Sequence, residues 1–221
     1  MCGRLAVTLP NDAMSQLFAA QPANNLPAVA NYNVCPTNEV HSVWSDGNAR
    51  RLSAMRWGFI PHWYKKPNDG PLLINARAET IAEKPAFKAA CRTQRCLIPA
   101  SGFYEWTKDA DGGRDPWYIY RKDKGTLAFA GIWQDWTYEG ETLRTCAIVT
   151  TGANESISKI HHRMPVILDP LDWALWLGEK GKGAAALMTA APENTLDFYR
   201  VSRAVNSNRA SGAALIERDV L

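Results

Sequence analysis

Between about residue 95 and residue 150 the chain is a succession of short runs rich in β-branched and aromatic residues, and no other feature constrains the fold as strongly. The runs cover residues 96–99, 102–107, 117–121, 127–133 and 143–150, with the composition expected of strands. Asp109-Ala110-Asp111-Gly112-Gly113 separates two of them, and Tyr138-Glu139-Gly140-Glu141 separates two others. Both are turn sequences suited to antiparallel hairpins, so a meander or a barrel is expected.

Strand-like residues 4–7 precede this region, and helices are expected only around it. Residues 11–20 read as a short helix capped by Asn11 or Asp12, with Leu17 and Phe18 on its apolar side. A loop rich in Pro and Asn follows to about Ala30. A second short helix is expected over residues 154–159. A third starts at Asp169-Pro170, carries Trp173, Trp176 and Leu177 at helical spacing, and stops at Gly178. No repeat or long linker interrupts the chain. With 221 residues, 46% of them hydrophobic and 21% charged, it can bury a core without disulfides or metals. The expectation is a single α+β domain over residues 1–221, an antiparallel β-barrel-like core with flanking helices.

Composition narrows the function classes. The five cysteines are odd in number, widely spaced and without a C-x-x-C pair, which argues against a disulfide framework or a zinc knuckle. Cys35, Cys91, Cys96 and Cys146 read as small buried hydrophobes. A net charge of +3 suits an anionic partner but is far from that of a histone-like binder. No apolar stretch approaches the ~20 residues of a membrane span, and the N-terminus lacks a signal peptide's apolar region. A cytoplasmic protein is expected, with no membrane partner and no metal.

Cys2 is the most informative residue because it follows Met1. Removal of the methionine leaves a 1,2-aminothiol, whose amine condenses with an aldehyde to an imine that the thiol then closes into a thiazolidine. An α-amine titrates near ~7.7–8.0 against ~10.4 for lysine, so its neutral, nucleophilic fraction at neutral pH is larger.

Three polar clusters lie among apolar residues, where a polar group calls for a reason. In residues 74–80, Asn75 and Arg77 share one face of an extended segment, the Asn suited to a substrate hydroxyl or carbonyl and the Arg to a phosphate. In residues 99–106, Glu105 stands between aromatics. It is either desolvated and suited to proton transfer, or turned to solvent together with Phe103. In residues 160–165, adjacent His161 and His162 point apart and lack acidic or cysteine partners at metal spacing, so one of them as acid or base is the simpler reading. Residues 57–67 add Trp63 and Tyr64 beside Lys65 and Lys66, the pairing of stacking faces and cations used for single strands.

Taken together, Met1-Cys2-Gly3-Arg4, Tyr32-Asn33-Val34-Cys35-Pro36, Trp57-Gly58-Phe59-Ile60-Pro61, Asn75-Ala76-Arg77-Ala78-Glu79-Thr80, Gly102-Phe103-Tyr104-Glu105-Trp106, His161-His162-Arg163-Met164-Pro165 and Val201-Ser202 resemble, in order and spacing, the SOS-response-associated peptidase (SRAP) family. The resemblance spans nearly the whole chain. It implies an α+β domain with a barrel-like core, a basic groove for single-stranded DNA, and a Cys2 that crosslinks to the aldehyde of a ring-opened abasic site, within the DNA damage response.

By the same resemblance, Asn75 positions the sugar or the Cys2 amine, and Glu105 and His161 handle protons during Met1 removal, ring opening and imine formation. Arg4, Arg77 and Arg163 hold phosphates, Trp63 and Tyr64 wedge bases apart, and Thr150 lines the pocket. Cys35 stands where the family commonly has Ala, and His162 is a second histidine beside His161. No Ser-His-Asp or paired-metal arrangement is visible, so the peptidase activity implied is self-processing at Met1-Cys2. No cofactor is expected, and a monomer that is nucleoid-associated when bound to DNA is. Two other readings compete: an N-terminal-nucleophile amidohydrolase, and a non-catalytic reader of single strands.

Overall fold

The computed structural model describes residues 2–109 and 111–219. In chain order its strands are β1 (Leu5–Val7), β2 (Ala20–Pro22), β3 (Asn31–Val34), β4 (Glu39–Ser45), β5 (Arg50–Trp57), β6 (Asn75–Arg77), β7 (Arg95–Ala100), β8 (Gly102–Lys108), β9 (Arg114–Arg121), β10 (Leu127–Tyr138), β11 (Glu141–Gly152), β12 (Arg163–Pro165) and β13 (Leu196–Arg200). The α-helices are short: α1 (Asn11–Phe18), α2 (Ala90–Thr93), α3 (Glu155–Ser158) and α4 (Trp173–Trp176).

Strands β11, β10, β7, β4 and β5 pair in that order, and β11 returns to β5 through a parallel pairing at Thr145–Arg56 and Cys146–Trp57. The result is a closed five-stranded barrel with β2, β6 and β12 on its edges. The neighbouring pairs around it are antiparallel, as the hairpin sequences require, and only the closure is parallel. Glu139 and Gly140, at φ of 50° and 85°, make the tight turn between β10 and β11. Positive φ at both central positions matches the twist of the strands they join. A second sheet, in the order β13-β9-β8-β1-β3, packs on the barrel.

That stacking accounts for β8. Phe103 faces the barrel and meets Phe129 at 5.7 Å, whereas Tyr104 faces away and meets Tyr118 at 5.3 Å beneath the C-terminal segment. Both side chains are fully buried, and each contributes about 1.5–3 kcal/mol by leaving water. Glu105 lies on the Phe103 side of the strand, and it too is buried. The alternative in which Glu105 and Phe103 face solvent is therefore wrong, because the barrel covers that face.

Several local expectations are corrected. Helix α1 ends at Phe18, and Pro10 holds its cap position with no side-chain hydrogen bond. Asn11 instead contacts His41 Nε2 through its Oδ1 at 2.8 Å. Met14 and Phe18, one turn apart, form the buried face, and Leu17 is 45% exposed. Helix α4 begins beyond Pro170, and Asp169 accepts from the Arg121 guanidinium rather than capping a helix. The loop placed after α1 contains β2, which pairs in parallel with β5. Cys96 and Cys146 are buried as expected, while Cys35 and Cys91 are only half-buried. Helix α3 matches its expected position, with Asn154 Oδ1 accepting from the Ile157 N–H.

Candidate functional site

The site is organised by the last residues of β11. Along one edge β6 runs parallel, setting Asn75 opposite Ile148 and Arg77 opposite Thr150. Along the other edge, which β10 has left, β12 sets Pro165 opposite Thr150 and Arg163 opposite Gly152. The motifs at residues 75–77 and 163–165 are thereby brought to one end of one strand.

Cys2 lies against this end, 1% exposed, within the main hydrophobic core. The Asn75 amide donates from Nδ2 to the Cys2 carbonyl at 2.9 Å. Asn75 Oδ1 is buried and has no hydrogen-bond partner among the described residues. Strand β1 pairs with β8, and Tyr104 N–H donates to the Arg4 carbonyl, so the N-terminal residues run beside Glu105. Burial, and then the nearby Glu105 charge, push the Cys2 thiol well above its ordinary pKa, partly opposed by the Arg4 N–H. Burial also raises the Glu105 carboxyl.

Two cavities open near the N-terminal residues, one lined by Gly3 and the other by Asn75, which holds the Cys2 carbonyl. One, of about 430 Å³, is lined by Gly3, Arg4, Glu105, Trp106, Arg114 and His161 among others. The other, of about 520 Å³, is lined by Trp63, Asn75, Arg77, Lys84 and Phe87 among others. A larger cavity of about 720 Å³ near Asn48 and Gly178 contains none of the residues nominated from sequence. His161 Nδ1 lies 3.0 Å from the Arg163 N–H and 3.1 Å from its carbonyl. Its ring stacks on His162 at 4.4 Å. Burial lowers the His161 pKa, and the neighbouring His161 lowers that of exposed His162. His161, not His162, lines the cavity with Glu105.

The remaining nominated residues divide by what already holds them. Arg77 is exposed at the rim, and Trp63 is 49% exposed. Arg163 is mostly buried, pairs with Glu79 at 2.7 and 3.0 Å, and donates to the Thr150 carbonyl at 2.7 Å. Thr150 is fully buried, so it props Arg163 rather than lining a surface. Arg4 donates to Asn33 Oδ1 at 2.6 Å and to the Val205 carbonyl at 2.8 Å. Tyr64 is half-buried, and its ring lies where a Cβ on Gly70 would stand. Cys35 points its thiol at the carbonyls of Asn33 and Asn208.

Sequence reasoning missed Asn33, Lys84 and Phe87. Asn33 is 6% exposed and its amide donates to Ser207 and Ala210, which ties Arg4 to the C-terminal segment. Its only sequence signal was its place in the 32–36 motif, because the carbonyls its amide donates to lie more than 170 residues away. Among the described residues no cluster of His, Cys, Asp and Glu could hold a metal ion.

A family model described as SOS response associated peptidase (SRAP) matches residues 1–208. The chain belongs to the SRAP family. Among its SRAP relatives, the abasic site processing protein YoaM of Bacillus subtilis (strain 168) is 37% identical over 99% of both chains. The abasic site processing protein YedK of Escherichia coli (strain K12) is 32% identical over 98% of this chain and 99% of its own length. The abasic site processing protein HMCES of Pongo abelii is 30% identical over 95% of this chain and 73% of its own. A crystal structure of a Bacteroides thetaiotaomicron protein superposes with a TM-score of 0.87 at 25% identity, covering 99% of this chain and 100% of that one. The α+β barrel architecture is thus that of a known fold.

Proposed function

We propose that this chain binds single-stranded DNA and captures abasic sites covalently through Cys2 after release of Met1, shielding the lesion. The names of its relatives support abasic-site processing as the broad activity. The observation that carries the finer reading is the placement of Cys2. It is buried, its carbonyl is held by Asn75, which lines the cavity with Trp63 and Arg77, and the next residue, Gly3, lines the cavity with Glu105 and His161.

The chemistry balances without a cofactor. Hydrolysis of the Met1-Cys2 bond frees the α-amine, which attacks the aldehyde carbon of the opened sugar and expels water to give an imine. The thiol then adds to the imine carbon while its proton passes to nitrogen, closing the thiazolidine. A thiol held protonated by burial suits this order, with the amine attacking first. Glu105 and His161 lie within one cavity and serve as the proton carriers. Arg77 and Trp63 meet the flanking phosphate and base, and one copy of the chain supplies every group named. An amidohydrolase at Cys2 would leave Trp63 and Arg77 without a role. Among the described residues no helix is long and apolar enough to cross a membrane. We place the working protein on damaged DNA.

Intact mass before and after incubation with an abasic single-stranded oligonucleotide tests this. The expected result is a chain lacking Met1 that gains the mass of the oligonucleotide less one water. An undiminished adduct in Cys2→Ala, or none with Cys2 present, overturns the proposal.

A further inference from the structure

Trp63 is the exposed aromatic beside the 520 Å³ cavity, yet it sits in a stretch, residues 58–72, with little regular structure of its own. A stacking face in a loop is useful only if something outside the loop fixes it, because ordering it on binding costs conformational entropy. The side-chain hydrogen bonds that reach Ile60 and Tyr64 come from the β10–β11 hairpin. Its far end extends beyond the strands that pair with β7, from Trp133–Cys146 to Tyr138–Glu141.

Three hairpin residues grip the main chain of the loop. Thr145 Oγ1, fully buried, accepts from the Ile60 N–H at 3.2 Å. Gln134 Nε2 donates to the Ile60 carbonyl. Trp136, 6% exposed, donates from Nε1 to the Tyr64 carbonyl at 2.9 Å and stacks on Tyr138 at an interplanar angle of 18°. Ile60 and Tyr64 bracket Trp63, and the Tyr64 N–H closes the turn onto the Pro61 carbonyl at 3.0 Å. Tyr64 then packs over Gly70, where any Cβ would fall 2.2 Å from its hydroxyl. Trp63, edge-on to His62 and to Tyr64, is left at the rim.

We infer that Trp136 is a positioning residue for DNA binding: its indole N–H, through the Tyr64 carbonyl, sets the angle at which Trp63 meets a base beside the lesion. The assignment rests on the proposed function for its ligand, but the loop geometry can be read without DNA. Tyr64 belongs to the support and not to the stacking face.

The test is Trp136→Phe, which keeps an aromatic ring on Tyr138 and removes the N–H. Amide hydrogen exchange in residues 61–70 should rise, with residues 127–133 unchanged; unchanged exchange in 61–70 overturns the inference. Affinity for an undamaged single-stranded oligonucleotide should fall about three- to tenfold, as expected for one lost hydrogen bond. The crosslinking rate at saturating abasic DNA should stay at the wild-type value, since Cys2, Asn75 and Glu105 are untouched. In a Trp63→Ala background the substitution should cost no further affinity, which a general loss of stability would not produce. Additive losses overturn the inference. A wild-type chain that does not bind the strand at all overturns the proposed function instead, and the exchange measurement still decides whether Trp136 holds the loop.

Discussion

The side-chain amide of Asn75 holds the carbonyl of Cys2 at 2.9 Å across 73 residues of sequence. This bond fixes Cys2, the residue proposed to react, in a terminal segment that would otherwise fray. Asn75→Ala should slow crosslinking about 10- to 100-fold through misplacement of the amine, with a stability cost of only about 1 kcal/mol. A time course of adduct formation on a denaturing gel checks this, and an unchanged rate would remove Asn75 from the site. Asn75→Asp should fail equally, since it turns an acceptor toward the carbonyl.

Arg77 and Arg163 lie on the two strands that flank β11, opposite Thr150 and Gly152, yet they should respond differently to deletion. Arg77 is exposed, so Arg77→Ala should lower the salt dependence of single-strand binding by about 0.7 in the log–log slope, the value of one released counterion. Arg163 is already engaged by Glu79 and Thr150. Arg163→Ala should leave that slope unchanged and destabilise the fold by about 2 kcal/mol, because the buried Thr150 carbonyl loses its charge-assisted donor and half-exposed Glu79 loses its partner. Binding titrations at several salt concentrations, with denaturant melts, separate the two.

Burial raises the Glu105 pKa above its ordinary 4.5. Between that value and the raised one the folded chain keeps a proton that the unfolded chain has lost, so stability falls as pH rises through this window. Glu105→Gln removes the ionisation and should be more stable than wild type at neutral pH, the gap closing below about pH 4. The same variant should crosslink roughly 100-fold more slowly, since the group proposed to carry the proton is gone. A variant less stable than wild type at pH 7 would contradict the burial argument.

His41 works in the opposite sense. Burial lowers its pKa from 6.5 to about 4, and it lies 2.8 Å from Asn11. Between those values the unfolded chain binds the extra proton, so the contribution of His41 is complete above pH 6.5 and is lost as pH falls toward 4. The shift corresponds to roughly 3 kcal/mol across the window. Melting curves from pH 4 to 7 should show this loss in wild type and a flatter profile in His41→Gln.

What the sequence by itself determined was local and chemical. Turn residues at 109–113 and 138–141 and β-rich runs between them specify hairpins, because loop chemistry and strand propensity act over a few residues. The alternation that puts Asn75 and Arg77 on one side of a strand is equally local, and Cys2, Asn75 and Glu105 stand out by type and neighbours, whereas the choice of His161 over His162 rests on the family resemblance.

The tertiary structure decided everything that depends on partners far apart in the chain. Barrel closure rests on a parallel pairing between β5 and β11, 89 positions apart at Thr145 and Arg56, and no local pattern encodes it. Whether Glu105 faced solvent or the interior turned on the barrel packing over β8. That Arg163 is spoken for by Glu79 while Arg77 is open, and that Tyr64 supports while Trp63 presents, follows from contacts made by β11 and the β10–β11 hairpin. A side chain's chemistry is carried by its own atoms, whereas its availability is set by whatever the fold has already placed against it.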